Sequence, residues 1–315
     1  MPPQLSTLPE DFLRGPPASR PIIRPIHFAQ TPLDAYGGCY AIVIDNVLSP
    51  VECDQLLRAA EATAEGKWAD AQINIGGGKQ ETSKDVRDSG RIIWDSETVT
   101  QRIWDRVKPH LESRLSEHAE PFLEGLAEDV QSIERGRTDG VEFIGQDENI
   151  ISPLFDTGIG CMSKDAVADL GVWLKQDHKH WVCKGLNPRM RFLKYQDQQY
   201  FKPHIDGPYV VPGSNRTKRT MFTLHLYLNE ASPTNPLKGG ATTFFSELPR
   251  YWDQKDQAKR KVKEMNVVPR TGRVLVFQHE SLVHSGEDVA GGVKYTMRTD
   301  IMYHAEGFPG DENGN

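Results

Sequence analysis

The sequence predicts an α+β protein, with helices in its first half and an all-β unit in its second. Three observations carry this. A capping signature at Ser49 opens a run of apolar residues at helical spacing, and short apolar runs separated by turn residues begin at Arg189. The composition, 37% hydrophobic over 315 residues, is enough to bury a substantial core.

The formal charge of -7 argues against a general nucleic-acid binder, because phosphate neutralisation needs a basic face. No apolar run long enough to span a bilayer occurs, so no membrane association is expected. The segment MPPQLSTLPEDFLRGPP carries acidic residues where a secretory signal has a basic flank and an apolar stretch. An intracellular protein, cytoplasmic or nuclear, is the expectation. Cys39, Cys53, Cys161 and Cys183 show no CxxC spacing and read as small buried apolar side chains.

In chain order, residues 1–35 are interrupted by eight prolines and read as an extended or disordered arm. Cys39 to Asp45 is a short β-type run. Ser49 caps the helix that follows, with Pro50 at its first position and Glu52 completing a capping box. Cys53, Leu56, Leu57 and Ala60 give it an inward face. Gly76, Gly77 and Gly78 lack the lysine of a phosphate-binding loop and read as a plain loop. Thr98 to about Arg114 and Ser163 to about Lys175 read as further helices, while about 120–160 shows no clear period. A single domain over 36–305 is expected, with helical support to about 185, a β-barrel from about 186, and a flexible tail at 306–315.

The chemistry lies in the barrel. In FKPHIDGPY, His204 and Asp206 stand two apart, so an extended backbone points both to one face. A lone HxD has little specificity and needs a third ligand. GRVLVFQHESLVHSGEDV offers His279 and His284 after a strongly apolar strand that can lie opposite the first in a double-sheet barrel. Two imidazoles and a carboxylate on one side of a metal leave positions open, as in non-haem iron(II) oxygenases. Lys294 and Arg298 share one face of the next strand, and either can neutralise a carboxylate bound inside. His225, in alternation with Thr223 and Tyr227, is at least as well read as a core histidine as a pocket residue. His178 and His180 fall in a polar stretch with no third ligand nearby. Trp68, Trp94, Trp173 and Trp181 are more readily core than an aromatic substrate wall.

Taken together, these motifs resemble the prolyl 4-hydroxylase-like group of the iron(II)/2-oxoglutarate dioxygenase superfamily. RFLKYQDQQYFKPHID (Arg191 to Asp206) looks like its tyrosine and HxD block, and Leu226 to Asn229 its YLN strand. Gly239, Gly240, Ala241 and Thr242 match a GGxT turn. Gly272 to Phe277 looks like the apolar strand before the distal ligand, and His284, Gly286, Val289, Gly292 and Lys294 follow HxGxxVxxGxK. The resemblance is strong over about 189–303, weaker over about 39–95, and absent over 115–185. Arg87 to Arg91 looks only loosely like the family's substrate loop.

That resemblance implies a double-stranded β-helix, a distorted jelly roll, with N-terminal helices packed on one sheet. It implies His204, Asp206 and His284 as iron ligands, demotes His279, and favours Lys294 over Arg298 as partner of the 2-oxoglutarate far carboxylate, with Tyr195 and Tyr227 contributing hydrogen bonds. Iron(II), 2-oxoglutarate and O2 are the implied cofactors, with ascorbate optional. The implied reaction is hydroxylation of an unactivated carbon, releasing succinate and CO2. A prolyl residue of a protein or peptide is one substrate; a small molecule or secondary metabolite is the alternative. The reading from another class is a catalytically silent module that binds a peptide or senses 2-oxoglutarate.

Overall fold

The computed structural model describes residues 8–37, 39–76, 79–112, 171–174, 179–246 and 262–306. Strand β1 (Ile22–Pro25) and two 3-10 turns (Phe28–Gln30, Asp34–Tyr36) lead into β2 (Ala41–Asp45). Helix α1 (Pro50–Thr63) precedes β3 (Ala69–Asp70), β4 (Ile73–Gly76), β5 (Lys79–Glu81), β6 (Arg87–Asp88) and β7 (Gly90–Asp95). Helix α2 (Glu97–Glu112) closes the first half. The described second half holds β8 (Gly171–Leu174), β9 (Lys179–Leu186), β10 (Arg189–Tyr195), β11 (Tyr200–His204), β12 (Lys218–Tyr227) and β13 (Lys238–Gly239). After these come β14 (Thr242–Phe245), β15 (Glu264–Val267), β16 (Val274–Gln278), β17 (His284–Gly286), β18 (Val289–Gly291) and β19 (Lys294–Glu306).

Ten strands build a major sheet along β1-β2-β16-β12-β19-β10-β7-β3, with the β8–β9 hairpin on the distal half of β19. Five build a minor sheet, β15-β14-β17-β11-β6. From β10 to β19 the chain passes back and forth between the two sheets, which makes the fold a double-stranded β-helix. The sheets close on each other through Val43, Tyr227, Leu275 and Phe277 from one side and Phe244, Met265 and Val267 from the other. The opposite face of the major sheet is apolar too: Ile44, Phe192, Leu224, Val276 and Met297 pack with Cys53 and Leu56 of α1 and Ile103 and Val107 of α2. Burial on both faces explains why β2 and β16 read as unbroken apolar runs without alternation.

The capping box is present. Ser49 Oγ accepts from Glu52 N–H, and the Glu52 carboxylate accepts from Ser49 N–H at 2.7 Å. The same carboxylate pairs with Arg106 of α2 at 2.8 Å, tying the two helices together. Gly272 stands at φ +75, where a Cβ would lie 1.8 Å from the Leu48 carbonyl oxygen; glycine lets the chain before β16 approach the start of α1.

Two expectations from sequence are corrected. Residues 8–35 are not an extended arm: Phe12, Leu13, Phe28 and Leu33 are buried, and Phe28 meets Phe244 edge to face at 5.7 Å. Pro25 is accommodated at the sheet edge, where it ends β1 and its missing N–H costs no ladder bond at the sheet centre. The helix expected over Ser163 to Lys175 does not extend to Gly171–Leu174, which pairs with β9 in the register Val172↔Trp181. At Gly171–Leu174 cross-strand pairing overrides the helical expectation. Residues 163–170, the stretch 120–160, Cys161, Gly77, Gly78, His178 and the tail beyond Glu306 lie outside the described residues. No helix among the described residues is long and apolar enough to cross a membrane.

Candidate metal centre

The site forms where the minor sheet brings β11 against β17. His204 ends β11, His284 begins β17, and the two are direct cross-strand partners, their rings 4.3 Å apart between centroids. Asp206 follows two residues after His204 and turns its carboxylate between the imidazoles, Oδ1 3.6 Å from His204 Nε2 and Oδ2 3.6 Å from His284 Nε2. One ligand atom from each residue lies within 4.8 Å of the others.

The protonation pattern suits a metal. His204 Nδ1 is 2.8 Å from the Lys202 carbonyl and His284 Nδ1 is 3.1 Å from the Leu282 carbonyl. A carbonyl only accepts, so both Nδ1 atoms donate and both Nε2 atoms face the gap. His204 Nε2 is buried with no hydrogen-bond partner, an orphan that a cation satisfies. Burial and the neighbouring His204 push His284 down to about 3, which keeps its imidazole neutral. Burial works to raise the Asp206 carboxyl, but Arg298, His284 and His204 outweigh it and hold the group ionised. Thr223 Oγ1 donates to Asp206 Oδ2 at 2.6 Å, and Arg298 Nη1 lies 2.8 Å from Oδ1. Two imidazoles and a fixed carboxylate form the donor set of a non-haem iron(II) centre.

A pocket opens at this trio, and β10, β12 and β19 supply its inner wall. Lys294 is 2% exposed, with Nζ 5.2 Å from the centre of the Tyr195 ring and 5.8 Å from that of Tyr227. Among the described residues no carboxylate lies within ion-pair distance of it, and burial lowers it to about 8 despite the opposing effect of Glu287. Tyr227 donates its hydroxyl proton to Thr242 Oγ1 at 2.6 Å.

The other candidates are distributed as follows. Arg298 is engaged by Asp206 and, at 3.4 Å, by Asp300. His225 does face the pocket; burial, then Lys294 and Arg298, hold its imidazole neutral. His279 is buried away from the pocket, its Nε2 3.5 Å from Asp300 Oδ1. Trp181 is core, and Trp68 and Trp94 are partly buried against that core. Sequence reasoning passed over Thr223, Thr242, Phe201 and Asp300. The even spacing of Thr223 with His225 on β12, and of Asp300 with Arg298 on β19, was the available signal. Phe201, whose ring stacks on His204 at 3.6 Å, had none.

Residues 190–299 match the family model of the 2OG-Fe(II) oxygenase superfamily, so this segment is an oxygenase domain carrying the His-X-Asp and distal His of an iron site. No curated protein matches the chain. Among solved structures, a collagen prolyl hydroxylase of Paramecium bursaria Chlorella virus-1 in complex with 2-oxoglutarate is similar at 16% identity, covering 84% of this chain and 96% of its own, with a TM-score of 0.39. A prolyl-4-hydroxylase of Pseudomonas putida is similar at 14% identity, with 87% and 97% covered and a TM-score of 0.43. A prolyl hydroxylase of Trichoplax adhaerens, in complex with a hypoxia inducible factor peptide fragment, is similar at 12% identity, with 83% and 82% covered and a TM-score of 0.42.

Proposed function

We propose that this chain, which carries a 2OG-Fe(II) oxygenase domain over residues 190–299, hydroxylates an unactivated carbon of its substrate. One oxygen atom of O2 enters the substrate and the other enters succinate, with CO2 released from 2-oxoglutarate. The carrying observation is the convergence of His204, Asp206 and His284 in the same pocket as a buried Lys294 that no carboxylate among the described residues pairs. Iron(II), when bound by the three, supplies the activation of O2 that drives oxidative decarboxylation of 2-oxoglutarate.

The protein's own part is positioning. The Lys202 and Leu282 carbonyls hold the two imidazoles in the tautomer that presents Nε2. Thr223 and Arg298 hold Asp206 at both oxygens, so its orientation is set before a metal arrives. Lys294 is the charge partner for the far carboxylate of 2-oxoglutarate, with Tyr195 and Tyr227 around it. Because Thr242 already accepts from Tyr227, its own hydroxyl proton is free to donate to that carboxylate. An intact Asp206 leaves no vacant ligand position for halide, which favours hydroxylation over halogenation. A prolyl residue of a peptide and a small molecule are both substrates this cofactor set serves.

Anaerobic titration with iron(II) and 2-oxoglutarate tests the reading. A weak visible charge-transfer band, lost in His284→Ala, is the expected result. Its absence from folded, iron-loaded protein would replace the enzyme by a silent binding module.

A further inference from the structure

Buried arginines elsewhere in this chain have carboxylates. Arg273, 0% exposed, is held by both oxygens of Asp45, and Arg106 by both oxygens of Glu52. Beside the metal centre the pattern breaks. Arg87 is 8% exposed, and its polar contacts are Ser89 Oγ at 3.3 Å and the Tyr195 hydroxyl. Arg91, which is only half-buried, hydrogen-bonds the neutral Gln72 amide at 3.1 Å. Among the described residues neither has a carboxylate within ion-pair distance. Leaving a guanidinium desolvated without an anion is costly, and proteins retain such groups where a ligand supplies the counter-charge.

Their placement says where that ligand sits. Arg87 is the cross-strand partner of Phe201 and lies over its ring at 4.5 Å, and His204 stacks on the same ring. One aromatic ring therefore separates this cation from a metal ligand. Arg91 stands opposite Leu193, a pocket-lining residue, and so shares the inner face of the major sheet. Arg87 and Arg191 are both near enough to disfavour its charge. The other cations of this face are committed: Arg191 to Asp300 at 3.0 Å, and Arg298 to Asp206 and Asp300. Iron(II) and the 2-oxoglutarate dianion cancel, and Lys294 takes the cosubstrate's far end, so neither satisfies Arg87 or Arg91.

We propose that the substrate carries a carboxylate, and that Arg87 and Arg91 bind it beside the metal centre. The proposal rests on the oxygenase reading above and narrows its substrate. Planar guanidinium forks match a carboxylate through paired N–H donors, and a site built this way rejects the neutral amide, which leaves the forks unpaired.

The test uses the full chain with iron(II) and 2-oxoglutarate, measuring substrate-stimulated succinate release. The probes are matched pairs: free amino acids and dicarboxylic acids against their amides, and capped proline peptides with aspartate or glutamate neighbours against their asparagine or glutamine counterparts. An acid among the first set points to a small-molecule carboxylate; one among the second points to an acidic peptide. At least one acid is expected to exceed its amide tenfold or more in kcat/KM. Arg91→Gln should cut that preference below threefold, and Arg91→Lys should restore part of it. Arg87→Gln should act the same way if it folds; Arg91 decides the matter if it does not. Amides equal to or better than acids throughout, no stimulation by any acid, or a preference that survives Arg91→Gln would each overturn the proposal. Calorimetric binding of the same pairs to iron-free protein reads the anion preference alone, and the charge-transfer band on the same samples shows separately whether the oxygenase reading stands.

Discussion

At Lys294 a cation is buried beside two aromatic rings with no carboxylate among the described residues in ion-pair distance, and burial lowers its pKa. Its pKa is lowered from 10.5 to about 8, so binding a carboxylate requires the ammonium form and must take up a proton above that pH. The affinity for 2-oxoglutarate, followed by the charge-transfer band, should fall about tenfold per pH unit above about 8. The ligand-free fold bears the cost of this buried charge below pH about 8 and is relieved of it as the pH climbs toward the free-lysine value. Lys294→Ala should weaken 2-oxoglutarate on the order of a hundredfold while iron binding changes little. The histidines divide as sharply. His204→Ala, Asp206→Ala or His284→Ala should abolish iron binding, measured by equilibrium titration. His279→Ala should leave it intact, because that ring meets Asp300 and none of the trio. Iron loss in the His279 variant would refute the ligand assignment. These candidate ligands were legible from HxD spacing and the motif after β16, but spacing alone left His279 and His284 open. The register that pairs His204 with His284 is what separates them.

Among the elements, β19 carries the most chemistry, because its alternation sets Lys294, Thr296, Arg298 and Asp300 along one inner face. The even spacing was readable, but the partners were not. Arg298 is claimed by Asp206 because β12 and β19 set His225 opposite Arg298 and Thr223 opposite Asp300, bringing the arginine within reach of the carboxylate Thr223 holds. Helix α1 was wholly legible because its signals are local: a capping box needs only four consecutive residues. Ser49→Ala should cost about 1 kcal/mol, read as a lower urea midpoint at unchanged slope. A loss much larger than this would mean that Ser49 also orders the Glu52–Arg106 tie between helices.

The whole molecule depends on its first forty residues more than their proline content suggests. Phe12, Leu13, Ile26, Phe28 and Leu33 are all nearly inaccessible, and burying each contributes about 1.5–3 kcal/mol. Their sum rivals the net stability of an ordinary domain, about 5–15 kcal/mol. A chain beginning at Ala41 should therefore lack a cooperative thermal transition; a transition near that of the full chain would show the segment to be dispensable. The sequence alone determined the fold class, the ligand types and the cosubstrate class, since these follow from spacing along single strands and from motif order. Tertiary structure decided that the proline-rich segment packs as core, that Gly171–Leu174 pairs as strand, and that among the described residues Arg191 and Arg298 pair with carboxylates while Arg87 and Arg91 do not. Those facts depend on which distant side chains share a face and on what charge remains after pairing, and long-range strand register settles both.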